Sequence, residues 1–445
     1  MRPVRPIVAG TLKAACAIGI SISVMLVVAA TPAYADTPTE TVSAAVLTPL
    51  QPVPDLIKGK KFDEALVKLR EADAVANKSA YENYLISQMR ASAAAGAGDN
   101  LLAAKSYEAM IAANRLPAAE VLPIMDVIAR MYYNLKEYKQ AAAWAGRYLK
   151  ESGGSAQNSP VRTLLVNAMY FGGDYEGARP ALLEDVQRTE QAGQKPTLQQ
   201  LQMLASAEQK LNDQAAYAVT LEKLVAHYPK DDYWKDLIFR VASKPTFSAS
   251  LNLNMTRLRY VLGQLTKPAD YVDLAERATR AGFPIEAKQI VDQGFDKGIL
   301  GTGAEAAAHK KLREQLVKEA AEDQKDIKRA EAVAAKASDG TGLIGVGFNY
   351  VIIGDTDKGL ALMEQGLKKG GLKRPEEATL RLGMAYAMVG QKLKAIETLK
   401  SVHGTDGVED LARLWSLFAS QSGQAGAKEV TRAAALSSVN TGLPK

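Results

Sequence analysis

Cysteine is nearly absent from this sequence: Cys16 is the one thiol, and it lies inside an apolar run close to the first residue. Past that run the chain holds no disulfide, no thiolate nucleophile and no cysteine metal ligand, a pattern compatible with an oxidising compartment. Histidine is scarce too. His227, His309 and His403 are far apart, and none has a second histidine at metal-ligand spacing. No G-x-S-x-G elbow occurs, so acyl-transfer chemistry of that type has no anchor. Aromatic residues make up only 6% of the chain. Beyond residue 30 no apolar stretch is long enough to span a bilayer. Neither sign of charge dominates. The net charge is +6, and without Arg2, Arg5 and Lys13 it falls to +3, from 52 basic and 49 acidic residues. Spread over the rest of the chain, that balance implies neither nucleic acid nor an anionic surface as a partner.

The first 35 residues read as a signal peptide. Arg2, Arg5 and Lys13 form a basic region, residues 14–30 are uncharged and apolar, and Ala33-Tyr34-Ala35 offers small residues at the two positions read by signal peptidase. An uncleaved anchor is the alternative, since 17 apolar residues approach the lower limit for a spanning helix. Cleavage before Asp36 predicts a periplasmic protein with no remaining membrane segment. Lys13-Ala14-Ala15 before Cys16 does not match a lipidation site.

What the chain does have is a repeat. Residues 375–402 read as two short amphipathic helices joined at Gly390, and a shift of 36 residues restores the same order: Gly347 matches Gly383, Tyr350 matches Tyr386, Gly354 matches Gly390, Gly359 matches Ala395 and Met363 matches Leu399. Further upstream, Ala65, Ala103, Ala141, Ala178 and Tyr217 follow one another at spacings of 38, 38, 37 and 39 residues. A small residue in a first helix, a Gly or Asn at a turn and a small residue at the crossing describe stacked helical hairpins. Alanine runs such as Ala93-Ala94-Ala95 and Ala141-Ala142-Ala143 suit the close backbone approach this needs.

This grammar resembles the tetratricopeptide repeat family, from Phe62 to about His227 and from Tyr271 to Val402. The departures are a longer period in the first array, no Trp in the first helices, Gly359 in place of Ala and Lys392 in place of a turn aromatic. The resemblance implies an all-α fold, a right-handed superhelical solenoid of helix-turn-helix repeats. The expected organisation is an extended lead-in and cap over residues 36–58 and a first array over 59–230. Irregular hairpins continue the solenoid over 231–301, with a charged long helix or helical hairpin over 302–338. Further repeats and a capping helix occupy 339–422, before a polar tail at 423–445. Residues 250–254 alternate like a strand, but Leu251, Met255, Leu258 and Leu262 also fit helical spacing, and helix is expected.

Gly340-Thr341-Gly342-Leu343-Ile344-Gly345 fits the G-x-G-x-x-G pattern of phosphate-binding loops. That pattern works between a strand and a helix; here a charged helix precedes it, so loop and packing roles are expected and no cofactor. Asp231/Asp232 and Glu376/Glu377 lie at helix starts, where carboxylates complement the helix dipole. No catalytic or metal site is expected. Tyr132, Tyr133, Tyr138, Trp144 and Tyr148 form the richest aromatic set; Tyr133 and Trp144 fall between packing slots and are the candidate partner contacts. By resemblance to secreted repeat proteins of Gram-negative bacteria, the expected role is a non-catalytic scaffold that binds envelope proteins or peptides in its concave groove, in envelope assembly, secretion or energy-coupled uptake. An accessory carrier for an exported polysaccharide is the second reading.

Overall fold

Turns set the architecture. In the computed structural model, which describes residues 40–153 and 160–421, a left-handed residue stands five positions before each buried crossing residue. The left-handed residues are Lys60, Gly98, Lys136, Gly173, Asn212, Gly282, Gly354 and Gly390. At seven of them, all but Gly354, the next N–H reaches back to a carbonyl in the first helix, as from Asp99 to Ala94 and from Gln391 to Tyr386, each at 2.9 Å. This is a Schellman closure, which satisfies terminal carbonyls and sends the chain straight into the next helix. Lysine at two of these positions was not foreseen. At the first turn Gly59 keeps φ −75°, and Lys60 takes φ 58°.

The signal-like segment 1–35 and the tail 423–445 lie outside the described residues. The chain divides into two compact units, Met1–Tyr217 and Ala218–Lys445.

In the first unit α1 (Ala44–Leu50), α2 (Val53–Lys58) and α3 (Phe62–Asp73) precede the hairpins α4/α5 (Ala80–Ala97, Asn100–Ala112), α6/α7 (Ala118–Asn134, Tyr138–Glu151) and α8/α9 (Pro160–Phe171, Tyr175–Gln191), and then α10 (Leu198–Lys210). The lead-in is therefore helical from residue 44 rather than extended. Pro52 and Pro54 do not prevent this, because Pro52 is an N-cap and Pro54 sits in the first turn of α2, where an N–H has no intrahelical partner to lose, while Pro49 falls one residue before α1 ends. Val46, Leu50 and Val53 bury against Ala65, Leu69, Ile86 and Met89. Glu82 fixes the join. It completes a capping box with Ser79 and also accepts the Ser43 N–H at 2.8 Å and the Ser43 hydroxyl at 2.6 Å.

After α11 (Gln214–His227), the second unit contains α12 (Asp231–Ala242), a 3₁₀ turn (Ala249–Leu251), α13 (Asn252–Val261), α14/α15 (Pro268–Arg280, Pro284–Asp296), α16 (Ala306–Lys336), α17/α18 (Thr341–Ile353, Thr356–Lys369), α19/α20 (Pro375–Met388, Lys392–Lys400) and α21 (Val408–Gln421). Of the two forms expected for the charged stretch, long helix or helical hairpin, it takes the first, as one 31-residue helix. His309, Leu316, Ala320, Ile327 and Ala334 are its buried residues. Arg313 pairs with Asp292 of α15 at 2.7 Å and Glu331 with Lys358 of α18 at 2.6 Å, so the helix is packed along its neighbours.

The irregular residues 231–267 do more than extend a stack. The last helix returns to the segment that opens the unit: Trp415 Nε1 donates to the Asn254 carbonyl at 3.3 Å, Lys244 pairs with Asp410 at 2.6 Å, and Gln421 donates to the Val225 carbonyl at 2.8 Å. Residues 161 to 196 apart in sequence thus meet, a relationship that no repeat period encodes.

Candidate functional site

Hairpin α6/α7 carries both predicted partner contacts. Along α6, Ile124, Met125, Ile128, Ala129, Met131 and Tyr132 face the core, which leaves Tyr133 at the turn, half-buried. Its ring meets Tyr138 edge-on at 5.5 Å between centroids. Burial, then Tyr138, raises the Tyr133 hydroxyl above its ordinary value.

Trp144 lies on the second-helix side. Its Nε1 donates to Glu108 Oε1 of α5 at 2.7 Å, and the Arg147 guanidinium stands 5.2 Å from its ring centroid. Glu108 also engages the Tyr132 hydroxyl, which burial and this hydrogen bond push up to about 12. Tyr133 and Trp144 are thus held by different neighbours, one at the turn edge and one by the preceding second helix. The structure does not bring them into a single site.

A longer aromatic row runs from Tyr133. Tyr138 lies 5.8 Å from Phe171, Phe171 5.3 Å from Tyr170, and Tyr170 5.6 Å from Tyr175. All five rings are half-buried, at the turn ends of two hairpins. Tyr170 and Phe171 escaped the sequence reading although a signal was there: a shift of 38 residues maps Tyr132-Tyr133 onto Tyr170-Phe171.

Two of the G-x-G-x-x-G glycines, Gly340 and Gly342, are packing residues. A Cβ on Gly340 would lie 1.8 Å from the Gly366 carbonyl oxygen, and one on Gly342 2.9 Å from Ala334 Cβ. Gly340 also donates its N–H to the Gly370 carbonyl at 2.8 Å. Two of the three glycines therefore answer to the helices packed on α17. His309 is buried and accepts the Gly301 N–H at 3.3 Å, while His403 is exposed and lies 3.9 Å from Glu409. Among the described residues no group of three or more His, Cys, Asp or Glu side chains gathers to hold a metal, and no helix is long and apolar enough to cross a membrane.

Two shallow clefts in the second unit were not foreseen. One, of about 340 Å³, is lined by residues including Arg374, Glu376, Glu377, His403 and Asp406. The other, of about 280 Å³, is lined by Ser250, Asn254, Arg277, Arg280 and Arg381 among others. Their residues come from elements up to 160 positions apart, which the sequence offers no means to pair.

The hairpin geometry defines an all-α helical-repeat protein. No protein-family model matches the chain, and no curated protein matches it in sequence. Among solved structures it is similar to the TPR2AB domain of yeast Sti1 in its pHSP90 complex, at 12% identity and a TM-score of 0.22 over 72% of this chain and 100% of that one. It is also similar to Naa15/Naa10 bound to HypK-THB, at 16% identity and 0.31 over 80% of this chain and 58% of that one, and to yeast Tom70, at 10% and 0.21 over 88% and 96%. These overlaps are low, and the fold rests on the turns and crossings described above.

Proposed function

We propose that this protein is a non-catalytic scaffold of the periplasm that binds protein segments across the first helices of its hairpins. The observation that carries the reading is lateral contact between first helices: α6 packs on α8, and α17 on α19. Neighbouring first helices then share one face, which accepts an extended or helical segment through side-chain contacts alone. The basic, apolar and Ala-Tyr-Ala stretches of residues 1–35 support export. Envelope assembly, secretion or energy-coupled uptake is the setting we propose, with Tyr133 and Trp144 as partner contacts.

One observation favours a second reading. The five-ring row from Tyr133 to Tyr175 offers partly open aromatic surface of the kind that stacks on sugar rings, which fits a carrier for an envelope polysaccharide.

Affinity capture of residues 36–445 from solubilised envelope, with mass spectrometry of what is retained, separates the two. Tyr133→Ala and Trp144→Ala proteins run in parallel, checked for helicity by circular dichroism. A protein retained by the wild type and lost from either variant supports the scaffold. Retained oligosaccharide without a protein partner replaces it with the carrier.

A further inference from the structure

Arg381 is a cation without an anion. It sits on α19, four residues after Glu377, the spacing at which a Glu and an Arg ordinarily pair along a helix. Here they do not. Glu377 Oε1 accepts the Ser250 hydroxyl at 2.6 Å and an Arg374 N–H at 3.0 Å, so the carboxylate is turned towards Ser250 and Arg374. The other acid in the neighbourhood is committed as well: Glu286 takes Arg257 Nε at 2.7 Å and a second Arg257 nitrogen at 2.5 Å. Arg257 is buried, stacked between Phe283 and Phe348 at 4.9 and 4.8 Å, and Asn254 Oδ1 accepts one more of its N–H groups at 2.8 Å. Arg381 is left with the Phe283 ring, 5.4 Å from its guanidinium carbon. Its Nε is sealed from solvent with no hydrogen-bond partner.

The cleft over Arg381 collects more positive charge. Arg277 and Arg280 of α14 line it, together with Ala249, Ser250, Leu253, Asn254 and Ala281, and no carboxylate does. The two α14 arginines are anchored on their own helix, Arg277 to Asp273 at 2.7 Å and Arg280 to Glu276 at 3.5 Å. Desolvation, and then repulsion from Arg257, lowers the Arg381 guanidinium to about 10 despite Glu377 and Glu286. A guanidinium held in such a place costs stability unless an anion completes it. Its planar fork suits two parallel hydrogen bonds to an oxyanion.

We propose that the cleft between α13, α14 and α19 is an oxyanion-binding site, with Arg381 as the ligating group and Arg277 and Arg280 as the rim that attracts the ligand. A volume of about 280 Å³ fits inorganic phosphate or a single carboxylate-bearing side chain. The same chemistry can arrive as a free ion or on a peptide, and the site itself does not depend on the scaffold reading.

The test is thermal unfolding of the full chain in increasing inorganic phosphate and, separately, in increasing N-acetylglutamate amide, each at constant ionic strength balanced with chloride so that screening is unchanged. The expected result is a saturable rise in Tm with at least one of them, lost in Arg381→Gln and weakened roughly tenfold or more in Arg280→Gln. Response to phosphate alone assigns a free ion, and response to the glutamate amide assigns a side-chain carboxylate. Arg381→Met adds a readout that needs no ligand. It keeps the stem and removes the charge, so without added anion it unfolds at or above the wild-type temperature, and it ignores both probes. No saturable rise in the wild type overturns the proposal, as does an equal rise in Arg381→Gln.

Discussion

Gly347 and Gly359 touch backbone to backbone: a Cβ built on either one would lie 2.6 Å from the carbonyl oxygen of the other. Both are buried, and the crossing of α17 on α18 has no room for a methyl group. Gly347→Ala should therefore destabilise the protein by about 3 kcal/mol, the upper range for overpacking, because the obstacle is backbone that cannot rotate away. Gly345, two residues earlier on α17, is the control. A Cβ there meets nothing within 4 Å, so Gly345→Ala should gain up to about 1 kcal/mol of helix propensity. Urea unfolding of the two variants checks the contrast; equal effects would contradict the packing account.

Lysine at a left-handed turn position carries a conformational penalty that glycine does not. Lys136 has φ 63° in the α6/α7 turn. Lys136→Gly should raise stability by roughly 0.5–1 kcal/mol, since the left-handed cost of about 1–2 kcal/mol is partly offset by the greater freedom of glycine in the unfolded chain. Gly98→Ala, at φ 82° with open space around it, should lower stability by about 1 kcal/mol. Opposite signs in urea unfolding are the expected result.

The buried pair of Arg257 and Glu286 predicts an asymmetric response. Glu286→Ala leaves a buried guanidinium between two phenylalanine rings and should cost about 3–5 kcal/mol. Replacing both partners, Arg257→Met with Glu286→Leu, should recover most of that loss, because desolvated charge is removed with its partner. A double-mutant comparison by urea unfolding reads this directly.

Glu82 links acid stability to the join of α1 and α4. The Ser43 hydroxyl first, then the Ser79 and Ser43 backbone N–H groups, hold its carboxyl down from 4.5 to about 2. A depressed folded value means the contribution is complete above the unfolded value near 4.5 and is lost as pH falls towards 2. Ser43→Ala should therefore shift acid unfolding of the first unit to higher pH and flatten the dependence in that window. An unchanged acid midpoint would show that the Ser43 contact contributes nothing.

Much of the repeat was legible because it is local. Spacings of 36 to 39 residues located Ala65, Ala103, Ala141, Ala178, Tyr217, Gly359 and Ala395, and every one is buried at a crossing. The lysine turns were not, because a left-handed lysine leaves no mark in composition. Whether residues 302–338 form one long helix or a hairpin was not legible, because their apolar stripe is thin, and α15, α17 and α18 supply the contacts that the stripe does not announce. Least visible was the Arg381 cleft. Its residues lie on four separate elements, and the helical spacing of Glu377 and Arg381 suggests an ion pair that Ser250 and Arg374 prevent.

The most direct test of the scaffold is a calorimetric titration of the captured partner segment against the wild type, Tyr133→Ala and Trp144→Ala, with helicity matched. The account predicts that truncating at least one of the two contacts weakens binding about tenfold or more, as expected for an interface anchor. A loss at Tyr133 places the segment at the turn edge of α6, and a loss at Trp144 beside Glu108 of α5. Wild-type affinity in both variants would contradict the assigned contacts, and absence of any saturable binding would contradict the scaffold itself.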